Sequence, residues 1–194
     1  AAITLADATN AATSIDLRSR NAADNADAAG AISYTDTNGV GITAIHTTSS
    51  ATVVAGDAIT QTGAILANAL TAKTLKDGGA AITLTNTGNA VTSIDLQSRN
   101  TADTANDAGA ISYIDTDGFD VAKISTTAGA TLTASGAVTQ SGSIAAGALV
   151  VKTLNDAGAA ITLADSTNAV TSIDLRTRNA ADTADAAGTI SYRD

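Results

Sequence analysis

The chain has no Cys, Pro, Met, Trp or Glu, and its aromatic residues amount to three Tyr and one Phe in 194 positions. The lack of Cys excludes disulfides, thiol chemistry and Cys-ligated zinc, so order must come from backbone pairing and aliphatic packing. All 19 acidic residues are Asp, whereas a helical protein fills its exposed faces with Glu, Lys, Gln, Arg and Leu. Without Pro, nothing removes a donor from a strand ladder. Cations are scarce too: ten Lys and Arg leave a net charge of −9 and a pI near 4.2. That balance opposes binding to nucleic acid or an anionic membrane, because phosphate contacts need clustered cations. No apolar run reaches membrane-span length, so no membrane insertion is expected. No basic-then-apolar segment opens the sequence, which is expected to be mature or internal material.

Ile, Leu, Val and Phe together make up just under a fifth of the chain. That is close to the compositional limit for disorder, but the mean hydropathy is +0.15 and the charge is modest, which together describe an ordered chain with a thin core.

What the sequence does contain is a repeat. Ile3, Ile82 and Ile161 each sit in AAITL, at a constant period of 79; Ile15, Ile94 and Ile173 sit in TSIDL; Tyr34, Tyr113 and Tyr192 end ISY. Where three copies overlap, 23 of 36 positions are identical in all of them, and no insertion or deletion is needed anywhere. The chain divides into residues 1–79, 80–158 and a partial third copy, 159–194, read as one segment of a longer array with no linker or second domain.

Inside each unit, apolar and polar residues alternate over three to six positions, as at Ile82/Leu84, Ile94/Leu96, Ile111/Tyr113 and Leu132/Ala134. This is the period of half-buried strands, and the runs are separated by turn formers such as Asp117-Gly118 and Ser141-Gly142. Strands so short need neighbours. The fold expected is all-β, a parallel β-helix in which each coil pairs with those above and below. Taking Leu132, Val151, Ile173 and Ile190 as matching corners gives spacings of 19, 22 and 17, hence about 20 residues per coil and four coils per repeat. At about 4.8 Å per coil, one repeat would advance roughly 19 Å and the chain roughly 47 Å.

The strings AVTQSGSI (137–144), AITQTGAI (58–65) and AITLTNTGNAV (81–91) resemble the repeats of giant secreted bacterial surface proteins of the filamentous-haemagglutinin type, related in architecture to autotransporter passengers. The resemblance covers essentially the whole chain. It implies a right-handed β-helix, secretion, an extracellular or cell-surface location, and an adhesive or scaffold role. The family's N-terminal secretion domain and any C-terminal effector are not in this sequence, and the regular register suits a stalk better than a receptor-binding tip.

Several residues invite a chemical reading. Asp115-Thr-Asp117-Gly118-Phe119-Asp120 alternates oxygen ligands around a Gly in the manner of a calcium loop. The first copy, Asp36-Thr-Asn38-Gly39-Val40-Gly41, loses carboxylates, and an Asx-type turn is the preferred reading. Asn100 to Gly109, with copies at 21–30 and 179–188, is the longest stretch without alternation. It is read equally as a short capped helix or a plain loop, and as the best candidate for lateral or partner contact. Arg20, Arg99 and Arg178 lie four residues after Asp16, Asp95 and Asp174 and four before Asp24, Asp103 and Asp182. They are expected to form local bridges in preference to an anion clamp. His46, replaced by Ser125 in the next copy, is assigned to a solvent-facing position. The three Tyr are assigned inward or to corners.

Ser and Thr abound without a base beside them, and a tandem array offers no unique polar cluster, so no catalytic, metal or cofactor site is expected. The composite expectation is a structural segment of an extracellular bacterial fibre or large surface adhesin, whose partners are neighbouring coils or copies of itself, end to end or side by side. The alternative is a repeated-face module that recognises a glycan, ice or another surface. Ice would call for aligned Thr-x-Thr ranks, and the sequence shows only isolated pieces such as Thr131-Leu-Thr133.

Overall fold

A computed structural model describes residues 1–194. Seventeen strands and no helix make up the chain. The first repeat supplies β1 (Ile3–Leu5), β2 (Ser14–Arg18), β3 (Ile32–Asp36), β4 (Val40–His46), β5 (Ser50–Ala55), β6 (Ile59–Gln61) and β7 (Ile65–Leu75). The second supplies β8 (Ile82–Leu84), β9 (Ala90–Arg99), β10 (Ile111–Asp115), β11 (Phe119–Ser125), β12 (Gly129–Ala134), β13 (Val138–Gln140) and β14 (Ile144–Leu154). The third opens with β15 (Ile161–Leu163), β16 (Ala169–Arg178) and β17 (Ile190–Tyr192).

Strands two apart in the chain pair in parallel, so odd-numbered strands stack in one column and even-numbered strands in another. The result is a parallel β-solenoid in which one winding takes one strand from each column. β7 is long enough to turn a corner: Ile65 and Leu66 pair with Ile45 and His46 in the even column, and beyond Asn68 the strand pairs with β5 in the odd one.

Seven strands fill a repeat before β8 renews the pattern of β1, so at two strands per winding the repeat holds three and a half windings. The four coils expected from the sequence are therefore corrected, and at about 4.8 Å per winding the repeat advances about 17 Å. Leu132 does face Val151, but Val151 faces Leu175, and Ile190 lies over Ile161. The corner assignment failed because connections of unequal length are inserted between strands of equal register. Down the odd column, Ile3, Ile32, Ala51, Leu70, Ile94 and Val121 stack on one another, and their numbers give sequence steps that differ from one winding to the next.

Alternation does the packing. Inward positions contribute a continuous core of 34 buried residues, almost all Ile, Leu, Val and Ala, and Tyr113 packs edge-on against Phe119 with ring centroids 5.2 Å apart. Outward positions carry hydroxyls. Thr4, Ser33, Thr52 and Thr71 form one unbroken rank across four windings, more order than the isolated pieces visible in the sequence. The next rank over, Thr35, Val54 and Lys73, is mixed.

The corners need polar satisfaction, because a buried backbone group without a partner costs free energy. Asn89, fully buried, supplies it: its Nδ2 donates to the carbonyls of Ile114 (2.9 Å) and Leu84 (3.3 Å), and its Oδ1 accepts from the Ile65 N–H (2.9 Å). Asn168 repeats the pattern on Ile144 N–H and Arg193 O. Asn89→Ala leaves these groups unpaired and is expected to cost about 3 kcal/mol, read as a lower urea midpoint at unchanged slope; a loss within the scatter of exposed-site variants would contradict this role.

Candidate functional site: the repeated side loop

The only long excursions from the windings are residues 21–31, 100–110 and 179–189, each lying between strands that belong to different columns. None is helical, so of the two readings of this segment the plain loop is the observed one. Asp103 adopts φ +54, and Asp24 and Asp182 adopt φ +52 and +56, a left-handed conformation that Asp tolerates better than most residues. It reverses the chain so that Arg99 and Asn106 form an antiparallel bridge across the base of the loop.

Arg99 organises the interior of the loop. Its Nε donates to Asp103 Oδ1 (2.9 Å), one Nη donates to the Asp103 carbonyl (3.0 Å), and the other donates to Asn106 Oδ1. Arg20 and Arg178 make the same set, with Asp27 and Asp185 in place of Asn106. The expected local bridge to the downstream Asp is observed. The upstream Asp takes no part, since Asp16 and Asp174 bond Arg18 and Arg176, and Asp95 bonds Gln97.

Neighbouring windings grip the loop from both sides. From the winding below, Lys73 Nζ meets Asp103 Oδ2 at 2.8 Å and Asp77 Oδ1 accepts the Thr101 N–H. From the winding above, Thr126 Oγ1 donates to the Gly109 carbonyl at 2.7 Å. Ser98 Oγ accepts the Gly109 N–H, and a Cβ at Gly109 would lie 1.9 Å from the Ala80 carbonyl oxygen, so only glycine fits at the foot of the loop. Lys152 and Asp182 repeat the Lys73 contact at 2.6 Å. The Lys, the buried Thr and the Ser were not singled out from sequence. Their signal was that AKTL and VKTL recur at the same period as the loop Asp residues.

The other candidates take structural positions. Asp115 is buried; its Oδ1 accepts the Asp117 N–H (2.8 Å), and its Oδ2 accepts the Val91 N–H (3.0 Å) and the Tyr113 hydroxyl. Asp36 repeats this with Asn38, Ala12 and Tyr34. The calcium-like string is thus an Asx turn whose carboxylate is already engaged. Tyr34 and Tyr113 point inward as expected. His46 corrects the expectation of a solvent-facing side chain: it is 19% exposed, tucked against the first loop with Nδ1 3.9 Å from Asp27 Oδ1.

Residues 29–96 and 108–175 match the family described as Repeats of unknown function (DUF5649). The chain belongs to this family. The two DUF5649 matches start and stop one full repeat apart, and the tip of the second loop falls between them. No curated protein and no solved structure matches the chain.

Charge around the loop gives it a pH signature. The Lys73 ammonium, followed by Arg99, holds the Asp103 carboxyl below its ordinary value of 3.8. The folded chain therefore gives up this proton at lower pH than the unfolded chain, and the stabilisation, full above 3.8, is lost as pH falls through the lowered value. Burial moves Asp115 the opposite way, above 3.8, so its contribution is full below 3.8 and declines as pH rises through the raised value. Asp103→Asn is expected to flatten the acid limb of stability between about pH 2 and 5, to lower neutral-pH stability by less than about 1 kcal/mol, and to speed amide exchange at Thr101 to Ala105. An unchanged acid limb would remove the bridge from the account.

Proposed function

We propose that this DUF5649 chain is a stiff structural segment of an extracellular bacterial fibre or large surface adhesin, acting by its shape and without catalysis. The observation that carries the reading is the ladder itself, which runs through all three copies without a break at either repeat boundary. Each repeat adds windings on one axis over one shared core. The acidic, hydroxyl-rich exterior keeps such a rod hydrated, and the net charge of −9 turns it away from nucleic acid and anionic membranes. Location outside the cell rests on the resemblance of its strings to secreted β-helical surface proteins.

A second reading is favoured by the rank Thr4, Ser33, Thr52 and Thr71: a regular line of hydroxyls that a glycan or another ordered surface could meet. One rank with a mixed neighbour makes a narrow contact, and the rod reading uses the whole molecule.

Solution scattering on chains carrying one, two and three added copies of the repeat tests the rod. The length is expected to grow by about 17 Å per copy at constant cross-section; growth in all dimensions, or flexible beads, would overturn it.

A further inference from the structure

Three and a half windings is a half-integer, and this decides where the loops emerge. The connection from an even to an odd strand lies on one edge of the solenoid, and the connection from odd to even lies on the other. Loops 21–31 (β2 to β3) and 179–189 (β16 to β17) therefore share an edge, and loop 100–110 (β9 to β10) leaves from the opposite one. The hydrogen bonds agree: loop 100–110 is capped by Thr126, on the odd-to-even side, and loop 21–31 by Thr47, on the even-to-odd side.

Loops on one edge recur every seven windings, about 34 Å, and the loop on the other edge stands midway between them. Loop 100–110 grips three windings, through Lys73 and Asp77 below and Thr126 above, or about 14 Å of axis. The stretch of opposite edge at that height carries no loop. Four windings pass there through the corner at Asn68, the corner at Thr92 and the short turns 116–118 and 135–137, about 19 Å in all. The loop fits the gap. Its exposed residues Thr101, Ala102, Thr104 and Ala105 are small and uncharged, and its Asp103 is already neutralised by Lys73 and Arg99.

We propose that a second copy of this chain is the partner of the loop edge: two parallel rods meet side by side with no axial offset, each loop of one seated in the loop-free gap of the other, near Thr92. This inference rests on the rod reading and gives its lateral contacts a register. Because both edges carry the same loop and gap half a period out of step, the contact can recur on each side, and rods assemble into a sheet.

The test is the double variant Ala102→Cys/Thr92→Cys, oxidised in concentrated solution. Both positions are exposed. The part of β9 from Ser93 to Arg99 holds them about 23 Å apart within one chain, far beyond disulfide reach, so every bond formed is between copies. The expected result is a ladder of covalent oligomers in which the mixed 92–102 linkage, mapped by peptide mass, exceeds its statistical share over the 92–92 and 102–102 linkages. Statistical linkages, or none, overturn the register. Scattering on chains with added copies reads the rod separately: correct growth without the mixed linkage sinks only this inference, and failed growth sinks the rod as well.

Discussion

Everything in this molecule depends on main-chain hydrogen bonds between successive windings. Of 115 backbone hydrogen bonds, 70 lie within the strand ladders, and they run along the axis, so each winding is a template for the next. A column in parallel register, shifted by one residue at Thr43 and at Ala122, keeps side chains of equal facing on top of one another, which is why a core of mostly Ile, Leu, Val and Ala can be continuous though each winding contributes only a few of them. The side chains fill the space that the ladder defines. They do not choose the ladder's direction.

The polar interior follows from the same constraint. At several places where the chain leaves a strand, side chains stand in for a ladder partner: Asn89 and Asn168 at the kinks, Ser98 and Thr126 at the foot of the loop, Asp115 and Asp36 at the turns. Asn89 and Thr126 each meet three backbone groups and Asp115 meets two. Gly109 completes the arrangement by letting two windings approach at their backbones.

Fold class was legible in the sequence because a strict period of two, with turns between, leaves few architectures, and because three copies expose the same pattern three times. Number and length of windings were not. Leu132 and Val151 are true neighbours, but counting onward to Ile173 assumed equal windings, and a kink such as residues 164–168 lengthens one winding without disturbing its strands. At the site, the Arg99–Asp103 bridge was legible because it is local. Lys73, far from Asp103 in the chain, becomes its partner only when two windings stack, and Asn89 could not be picked out because nothing in a single sequence distinguishes an exposed Asn from one that is fully buried.

The odd number of strands per repeat has a consequence for how such an array can change length. Gaining or losing one copy shifts whatever follows along the axis and also turns it by half a revolution, so that it emerges from the other flank. Gaining or losing two copies restores the original aspect. Parity of copy number is therefore under a structural constraint that total length is not: duplications that preserve the outlook of a distal element must come in pairs.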